Sequence, residues 1–77
     1  MRKSFIFIET CFGYTNLASE QLTNIEYVTK CFKLSGIYDI VVEIEAQTVQ
    51  RLNQVNSKIK ALQIVKSTTT MIVRSEV

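Results

Sequence analysis

Apolar and polar positions divide the chain into six segments with two different periods. Four segments have the two-residue alternation or the short apolar run of a strand, and two have the three- to four-residue spacing of a helix. The predicted strands are residues 4–10, 26–35, 38–46 and 65–75, and the predicted helices are residues 16–25 and 48–62. The predicted order along the chain is therefore β-α-β-β-α-β.

Two of the predicted strands are apolar on both faces. Because successive side chains of a strand alternate, the first strand presents aromatic and aliphatic pairs to opposite sides: Phe5 and Phe7 against Ile6 and Ile8. The third strand aligns three aliphatic side chains on one face, with Val41 opposite: Ile40, Val42 and Ile44. Such strands belong in the middle of a sheet, where both faces are covered.

The second predicted strand is more polar. Three apolar side chains are expected on one of its faces: Val28, Phe32 and Leu34. Four others are expected on the opposite face: Tyr27, Thr29, Cys31 and Lys33. Lys30 and Lys33 indicate an edge strand, because lysines discourage pairing with foreign strands. The following Ser35-Gly36-Ile37 predicts a tight turn in which Gly36 takes a positive φ.

Each predicted helix has one apolar stripe and is otherwise polar. The first stripe consists of Leu17, Ala18, Leu22 and Ile25, and the second of Val49, Leu52, Val55, Ile59 and Leu62. With right-handed crossovers and a hairpin between the second and third strands, this order gives a ferredoxin-like βαββαβ sandwich of the α+β class. We expect a single domain over residues 1–77, with the first and third strands central.

Two helices cover only one face of such a sheet, yet the central strands are apolar on both. Whichever pair of the first strand faces the helices, two large apolar side chains remain on the other face. The last strand adds either Met71 and Val73 or, from its opposite face, Ile72. Monomeric soluble proteins rarely expose a patch of this size. The sequence therefore predicts a dimer formed by sheet-to-sheet packing, the dimeric α/β barrel.

Composition and charge exclude several classes of protein. The chain has 77 residues, 47% of them hydrophobic and none of them proline, which excludes a disordered tail or a linker. Nine Lys and Arg against seven Asp and Glu leave a net charge of +2, too small to indicate direct DNA binding or an acidic membrane. The apolar run Phe5–Ile8 ends at Glu9, too early for a signal peptide. We expect a cytoplasmic protein.

The residues with the most versatile chemistry are scarce. The sequence contains no histidine, which removes the commonest general base and the commonest metal ligand. Cys11 and Cys31 have neither the spacing nor the partners of a zinc site and are expected to be buried free thiols, although a single disulfide remains an alternative. Neither a metal nor another cofactor is predicted.

Two motifs resemble the effector domain of the Lrp/AsnC family of regulators. Residues 35–46, Ser-Gly-Ile-Tyr-Asp-Ile-Val-Val-Glu-Ile-Glu-Ala, are similar to the family's G-x-Y-D turn and the apolar strand after it. Residues 65–73, Val-Lys-Ser-Thr-Thr-Thr-Met-Ile-Val, resemble the last strand, V-x-x-T-x-T-x-x-V. The resemblance covers nearly the whole chain and implies the βαββαβ fold derived above.

The resemblance also implies a function. Family members usually carry a helix-turn-helix ahead of this domain, whereas here Met1 opens almost directly on the first strand, as in stand-alone versions that do not contact DNA. Met-Arg-Lys at the start favours a natural N-terminus over a fragment. The implied partners are an amino-acid effector, a second copy, further dimers in a tetramer to decamer, and a full-length Lrp/AsnC regulator.

In the family, the effector binds where dimers meet, between the hairpin turn and the last strand. By motif position, the implied ligand residues are Gly36, Tyr38, Asp39, Thr68 and Thr70. Gly36 would open the backbone N–H groups to a carboxylate, and Asp39 would accept an ammonium group. The competing interpretation is structural: a hairpin φ for Gly36, hydrogen bonds within its own turn for Asp39, packing for Tyr38, and strand propensity for the threonines.

Other functions compete with that of a non-enzymatic sensor. Dimeric ferredoxin-like barrels include small monooxygenases and isomerases, and ACT-type regulatory domains share the fold and the ligand class. No catalytic residue is predicted, because no nucleophile–base pair is present and Glu43 and Glu45 alternate with apolar residues as a solvent-facing set would. An ACT domain carries a glycine-rich turn after its first strand, for which Gly13 is the sole counterpart.

Overall fold

The order and the class of the fold are as predicted. The computed structural model describes residues 1–75 and 77, with six elements: β1 (Arg2–Thr10), α1 (Thr15–Thr23), β2 (Val28–Lys33), β3 (Ile40–Ala46), α2 (Val49–Lys60) and β4 (Val65–Ile72). The strands form one antiparallel sheet in the order β2-β3-β1-β4. This is a ferredoxin-like α+β sandwich, and β1 and β3 are central as expected.

The core lies between the sheet and the two helices. It is built from alternate residues of the central strands and from the helix stripes: Ile6, Ile8, Ile40, Val42, Ile44 and Ala46 against Ala18, Leu22, Leu52, Val55 and Ile59. These side chains are almost completely removed from water, and this burial is the main source of stability for so small a domain. One face of the sheet is therefore covered.

Both helices end earlier than the apolar pattern predicts. α1 ends at Thr23 and α2 at Lys60, while Ile25 and Leu62 pack against the core from the loops that follow. The start of α2 is fixed by Thr48, whose Oγ1 accepts a hydrogen bond from the Arg51 N–H at 3.2 Å. Apolar residues just beyond a helix thus prolong its sequence pattern without prolonging the helix.

The predicted faces of β2 are wrong because the strand contains a bulge. Val28 lies opposite Ile44, but Lys30 lies opposite Glu43, so two residues of β2 oppose one of β3. The extra residue reverses the alternation. Phe32 therefore lies on the opposite face from Val28.

The connection between β2 and β3 is longer than the predicted tight turn. β3 begins at Ile40, and a hydrogen bond from the Leu34 N–H to the Asp39 carbonyl at 2.8 Å closes the six-residue loop 34–39. Gly36 has the expected positive φ, +140°. The loop is therefore long enough to form a wall beside the end of the sheet.

The cysteines are free, but they are half-buried rather than buried as expected. Cys11 follows β1, and Cys31 packs from the edge strand against the core. Among the described residues, no helix has the length and apolar character needed to cross a membrane.

We predict that Ile59→Ala lowers the free energy of unfolding by about 2–5 kcal/mol, because Ile59 is completely buried between α2 and the sheet. Urea denaturation monitored by circular dichroism measures the change. Ile37→Ala is the control: Ile37 is 82% exposed, and its truncation should change stability by less than about 0.5 kcal/mol. Equal effects of the two substitutions would contradict the assigned core.

Candidate functional site

Three segments of the chain meet at one end of the sheet and enclose a cleft. The antiparallel pairing brings the end of β1, the start of β4 and the loop 34–39 together. The resulting end cleft has a volume of about 500 Å³ and is lined by Glu9, Thr10, Cys11, Phe12, Gly13, Thr15, Gly36, Ile37, Asp39 and Lys66. Two of the five predicted ligand residues, Gly36 and Asp39, belong to it.

Asp39 connects the loop to the central strand. Its Oδ2 accepts hydrogen bonds from the Thr10 N–H at 2.8 Å and from the Thr10 hydroxyl at 3.1 Å. Its own N–H donates to the Ile8 carbonyl at 2.9 Å. The carboxylate thus stabilises the wall of the cleft across the sheet, rather than within its own turn. Both of these side-chain bonds fall on Oδ2.

Gly36 and Ile37 form the outer rim of the end cleft. Apart from the adjoining residues of the chain, no described atom lies within 4 Å of the position that a Cβ on Gly36 would occupy, so its backbone is accessible. Ile37 and, from the loop after β1, Phe12 are strongly exposed. The rim is therefore apolar and open.

Two charged residues of the end cleft, Glu9 and Lys66, were not predicted from the sequence. Lys66 Nζ lies 3.6 Å from Glu9 Oε2, and the Ser67 hydroxyl donates to Glu9 Oε1 at 2.9 Å. The predicted topology contained the signal, because the end of the first strand and the start of the last must be neighbours. The cleft thus combines a cation and two carboxylates with an apolar rim.

The other three predicted ligand residues lie outside the end cleft. The Tyr38 hydroxyl is 2.7 Å from Thr69 Oγ1, and its ring centroid is 5.8 Å from that of Phe7, on the face of the sheet away from the helices. Thr68 and Thr70 align with Ile8 and Ile6, on the helix side, and the Thr70 hydroxyl donates to Asn56 Oδ1 of α2 at 2.9 Å. One chain therefore does not bring all five residues together.

The second feature is the face of the sheet that the helices do not cover, here called the open face. Strand register places on it Lys3, Phe5, Phe7, Lys30, Phe32, Val41, Glu43, Glu45, Thr69 and Met71. Phe5, Phe7 and Val41 are half-buried, whereas Phe32 and Met71 are more than half exposed. This face is a contiguous aromatic and aliphatic surface with charges in it.

Glu43 is buried in the open face, and the expectation that it faces solvent is wrong. Only 5% of the residue is exposed. Its Oε1 lies 2.9 Å from Lys3 Nζ, and its Oε2 accepts from the Thr29 hydroxyl at 3.0 Å and lies 3.9 Å from Lys30 Nζ. Lys3 Nζ also lies 3.2 Å from Glu45 Oε1. Lys3, Lys30, Glu43 and Glu45 are called the charge cluster below.

The charge cluster shifts the protonation of two of its members. The hydrogen bond from Lys3 holds the pKa of Glu43 below its ordinary value of 4.5, against the opposing effect of desolvation and with help from Thr29. The same contact with Glu43, and the one with Glu45, raises the pKa of Lys3 above 10.5. Both groups are therefore held in their charged forms.

Known proteins with the same fold identify the family. The model of the Lrp/AsnC ligand binding domain matches residues 3–77. The chain belongs to this family. Within residues 1–75 and 77, no group of three or more Cys, Asp or Glu side chains is placed to hold a metal ion.

Solved structures show the same domain alone and within longer regulators. FFRP-DM1 superposes with a TM-score of 0.89 at 30% identity, over 95% of this chain and 99% of that one. AsnC of Escherichia coli superposes with a TM-score of 0.87 at 25% identity, over 97% of this chain but 52% of that one. The Lrp/AsnC domain described here thus corresponds to about half of AsnC.

A curated relative is an enzyme. The homocitrate synthase of Sulfolobus acidocaldarius is 38% identical over 60 residues, which cover 78% of this chain and 13% of the enzyme. The chain spans about an eighth of the length of the curated relatives it matches. A segment similar to this domain therefore occurs within an enzyme as well as within AsnC.

We predict that the Lys3–Glu43 pair makes the fold sensitive to acid. Because its pKa is lowered in the folded state, Glu43 contributes stability above about pH 4.5 and loses it as the pH falls through its folded-state value. Between pH 6 and pH 3, the free energy of unfolding should fall more for the parent than for Glu43→Gln. Glu20→Gln, at an exposed position on α1, should behave like the parent. Parallel curves for all three proteins would contradict the prediction.

Proposed function

We propose that this chain is a non-enzymatic, amino-acid-binding and oligomerisation module. It assembles as a homodimer through the open face, builds tetramers to decamers from dimers, and modulates a full-length Lrp/AsnC regulator without contacting DNA itself. The observation that carries the proposal is the match of residues 3–77 to a ligand-binding domain. The open face and the end cleft support its two halves.

The open face supports dimerisation. The domain measures 35 × 24 × 17 Å, so a sheet face that extends over its two longer dimensions is broad enough for an interface of about 800 Å² per partner. Its residues include Phe5, Phe7, Phe32 and Met71, aromatic and methionine side chains of the kind enriched in interfaces. A second copy presents an identical surface, which an isologous dimer requires.

The end cleft supports an α-amino acid as the ligand. The Asp39 carboxylate has Oδ1 available to accept a ligand ammonium while Oδ2 keeps its bonds to Thr10. The exposed backbone at Gly36 offers N–H groups to a carboxylate. Tyr38, Thr68 and Thr70 stay proposed ligand residues for a site completed by a neighbouring copy.

A second candidate function is regulation of a biosynthetic enzyme. The match to part of homocitrate synthase favours it, since there the domain belongs to an enzyme. The two candidates share the ligand cleft and differ in the protein that responds. A change in the velocity of a homocitrate synthase on addition of this chain would favour the second candidate.

Met71→Lys tests the dimer. Met71 lies on the open face and is 57% exposed, so that the isolated fold accepts a lysine there, whereas a dimer interface does not. Light scattering should give a dimer or larger species for the parent and a monomer for the variant. Val49→Lys, at a 40% exposed position on α2, should keep the parental mass. A monomeric parent would overturn dimerisation.

Asp39→Asn tests the ligand site. One or two of the twenty amino acids should raise the unfolding temperature of the parent. At a hundredfold excess of ligand over Kd, this corresponds to a gain of about 2.7 kcal/mol in the free energy of unfolding. The introduced amide keeps a carbonyl oxygen for the Thr10 donors but has no charge for the ammonium group, so the fold should persist and the shift should disappear. Asp39→Ala should lose the shift and also about 1–3 kcal/mol of stability, because the Thr10 donors lose their acceptor.

Two outcomes would contradict the ligand proposal in different ways. A parent that is indifferent to all twenty amino acids would remove amino-acid binding from the proposed function. An Asp39→Asn variant that responds as the parent does would keep the function and move the site away from Asp39.

A further inference from the structure

A charged group occupies the middle of a surface that is otherwise suited to apolar contacts. Glu43 lies halfway along the central strand β3, opposite Phe5 of β1 on one side and Lys30 of β2 on the other. Charged residues are depleted from the centres of interfaces and are tolerated at the rim. The position of Glu43 therefore calls for a specific role.

The charge cluster is fully organised within one chain. Both oxygens of Glu43 have partners, Lys3 and Thr29 among them, and the residue is 5% exposed before any second copy covers it. Among the described residues, no buried side-chain nitrogen or oxygen is left without a hydrogen-bond partner. A charge that is already paired and shielded loses less solvation on further burial than a free one does. The open face can therefore be covered with Glu43 still ionised.

The symmetry of a dimer brings the two clusters together. In an isologous interface the twofold axis passes through the middle of the shared patch, so residues near the centre lie close to their own counterparts. Glu43 facing Glu43 would place two carboxylates together in a dry interface, which is costly. An axis that passes between Glu43 and Lys3 instead places each acid against the lysine of the other copy.

We infer that the charge cluster makes the open face selective for a second copy of this chain, because Glu43 of each copy pairs with Lys3 of the other across the twofold axis. The apolar side chains supply contact area that many sheet faces could fill. The order of the charges fixes the register and rejects faces with a different order. This inference rests on the proposed dimer and adds what decides its partner.

Charge inversion provides the test. A variant with Lys3→Glu, Lys30→Glu, Glu43→Lys and Glu45→Lys keeps the net charge and the pairs within each chain but reverses the order of charges. Each protein should form its own homodimer. A mixed dimer would place acid against acid and lysine against lysine. In an equal mixture of the two proteins, mixed dimers should therefore make up less than about a tenth of all dimers, whereas random exchange would make them half. Wild-type chain labelled with heavy nitrogen lets native mass spectrometry distinguish the three dimers.

A second measurement covers the case in which the inverted chain does not fold. Glu43→Gln should raise the dimer dissociation constant of the parent about tenfold or more, because the lysine of the other copy loses its charged partner. Glu20→Gln is the matched control, since Glu20 is an exposed acid on α1, away from the open face and from the end cleft. The dimer dissociation constant of this variant should stay within about twofold of that of the parent, because an exposed charge outside an interface contributes little to affinity.

The possible outcomes distinguish a failure of this inference from a failure of the proposed dimer. A parent that is monomeric by light scattering overturns the dimer and the inference with it. A dimeric parent that exchanges at random with the inverted variant, prefers it, or tolerates Glu43→Gln as well as Glu20→Gln overturns the inference alone.

Discussion

The whole architecture depends on one constraint: the two helices cover a single face of a sheet whose central strands are apolar on both faces. Ile6 and Ile8 are completely buried under the helices, while Phe5 and Phe7, which alternate with them, remain half-buried on the open face. Among the residues that the structure describes, the two helices lie on the side of Ile6 and Ile8, and neither covers Phe5 and Phe7. Large apolar surfaces of this kind mark sites of interaction. The same alternation that builds the core therefore also builds the apolar open face, which the proposed dimer would cover.

A single extra residue in β2 determines the character of that surface. Without the bulge, alternation from Val28 would place Lys30 on the core side, opposite Val42. With it, Lys30 lies opposite Glu43, and the Thr29 hydroxyl reaches the Glu43 carboxylate. The buried acid of the open face thus depends on a backbone irregularity in the edge strand, which is where bulges commonly occur.

The sequence predicts the parts of this molecule that follow from periodicity. The six elements, the central position of β1 and β3, and the positive φ of Gly36 all follow from apolar spacing and glycine. The burial of Glu43 does not, because it depends on the bulge and on two lysines that neighbouring strands bring to it. The motif names Gly36 and Asp39 as ligand residues, and the structure brings these two to one cleft. It does not separate Tyr38 from Thr68, because their side chains lie on opposite faces of the sheet, which only strand register determines.

The end cleft and the open face are physically continuous through the loop 34–39. Gly36 and Asp39 line the cleft, while Tyr38 between them directs its ring to Phe7 and its hydroxyl to Thr69 on the open face. Any ligand that restricts the backbone of this loop would therefore also restrict the Tyr38 side chain, which lies on the open face. In the proposed function, this loop is therefore the direct physical connection between the ligand site and the dimer surface, and no long-range rearrangement of the sheet is needed to join them.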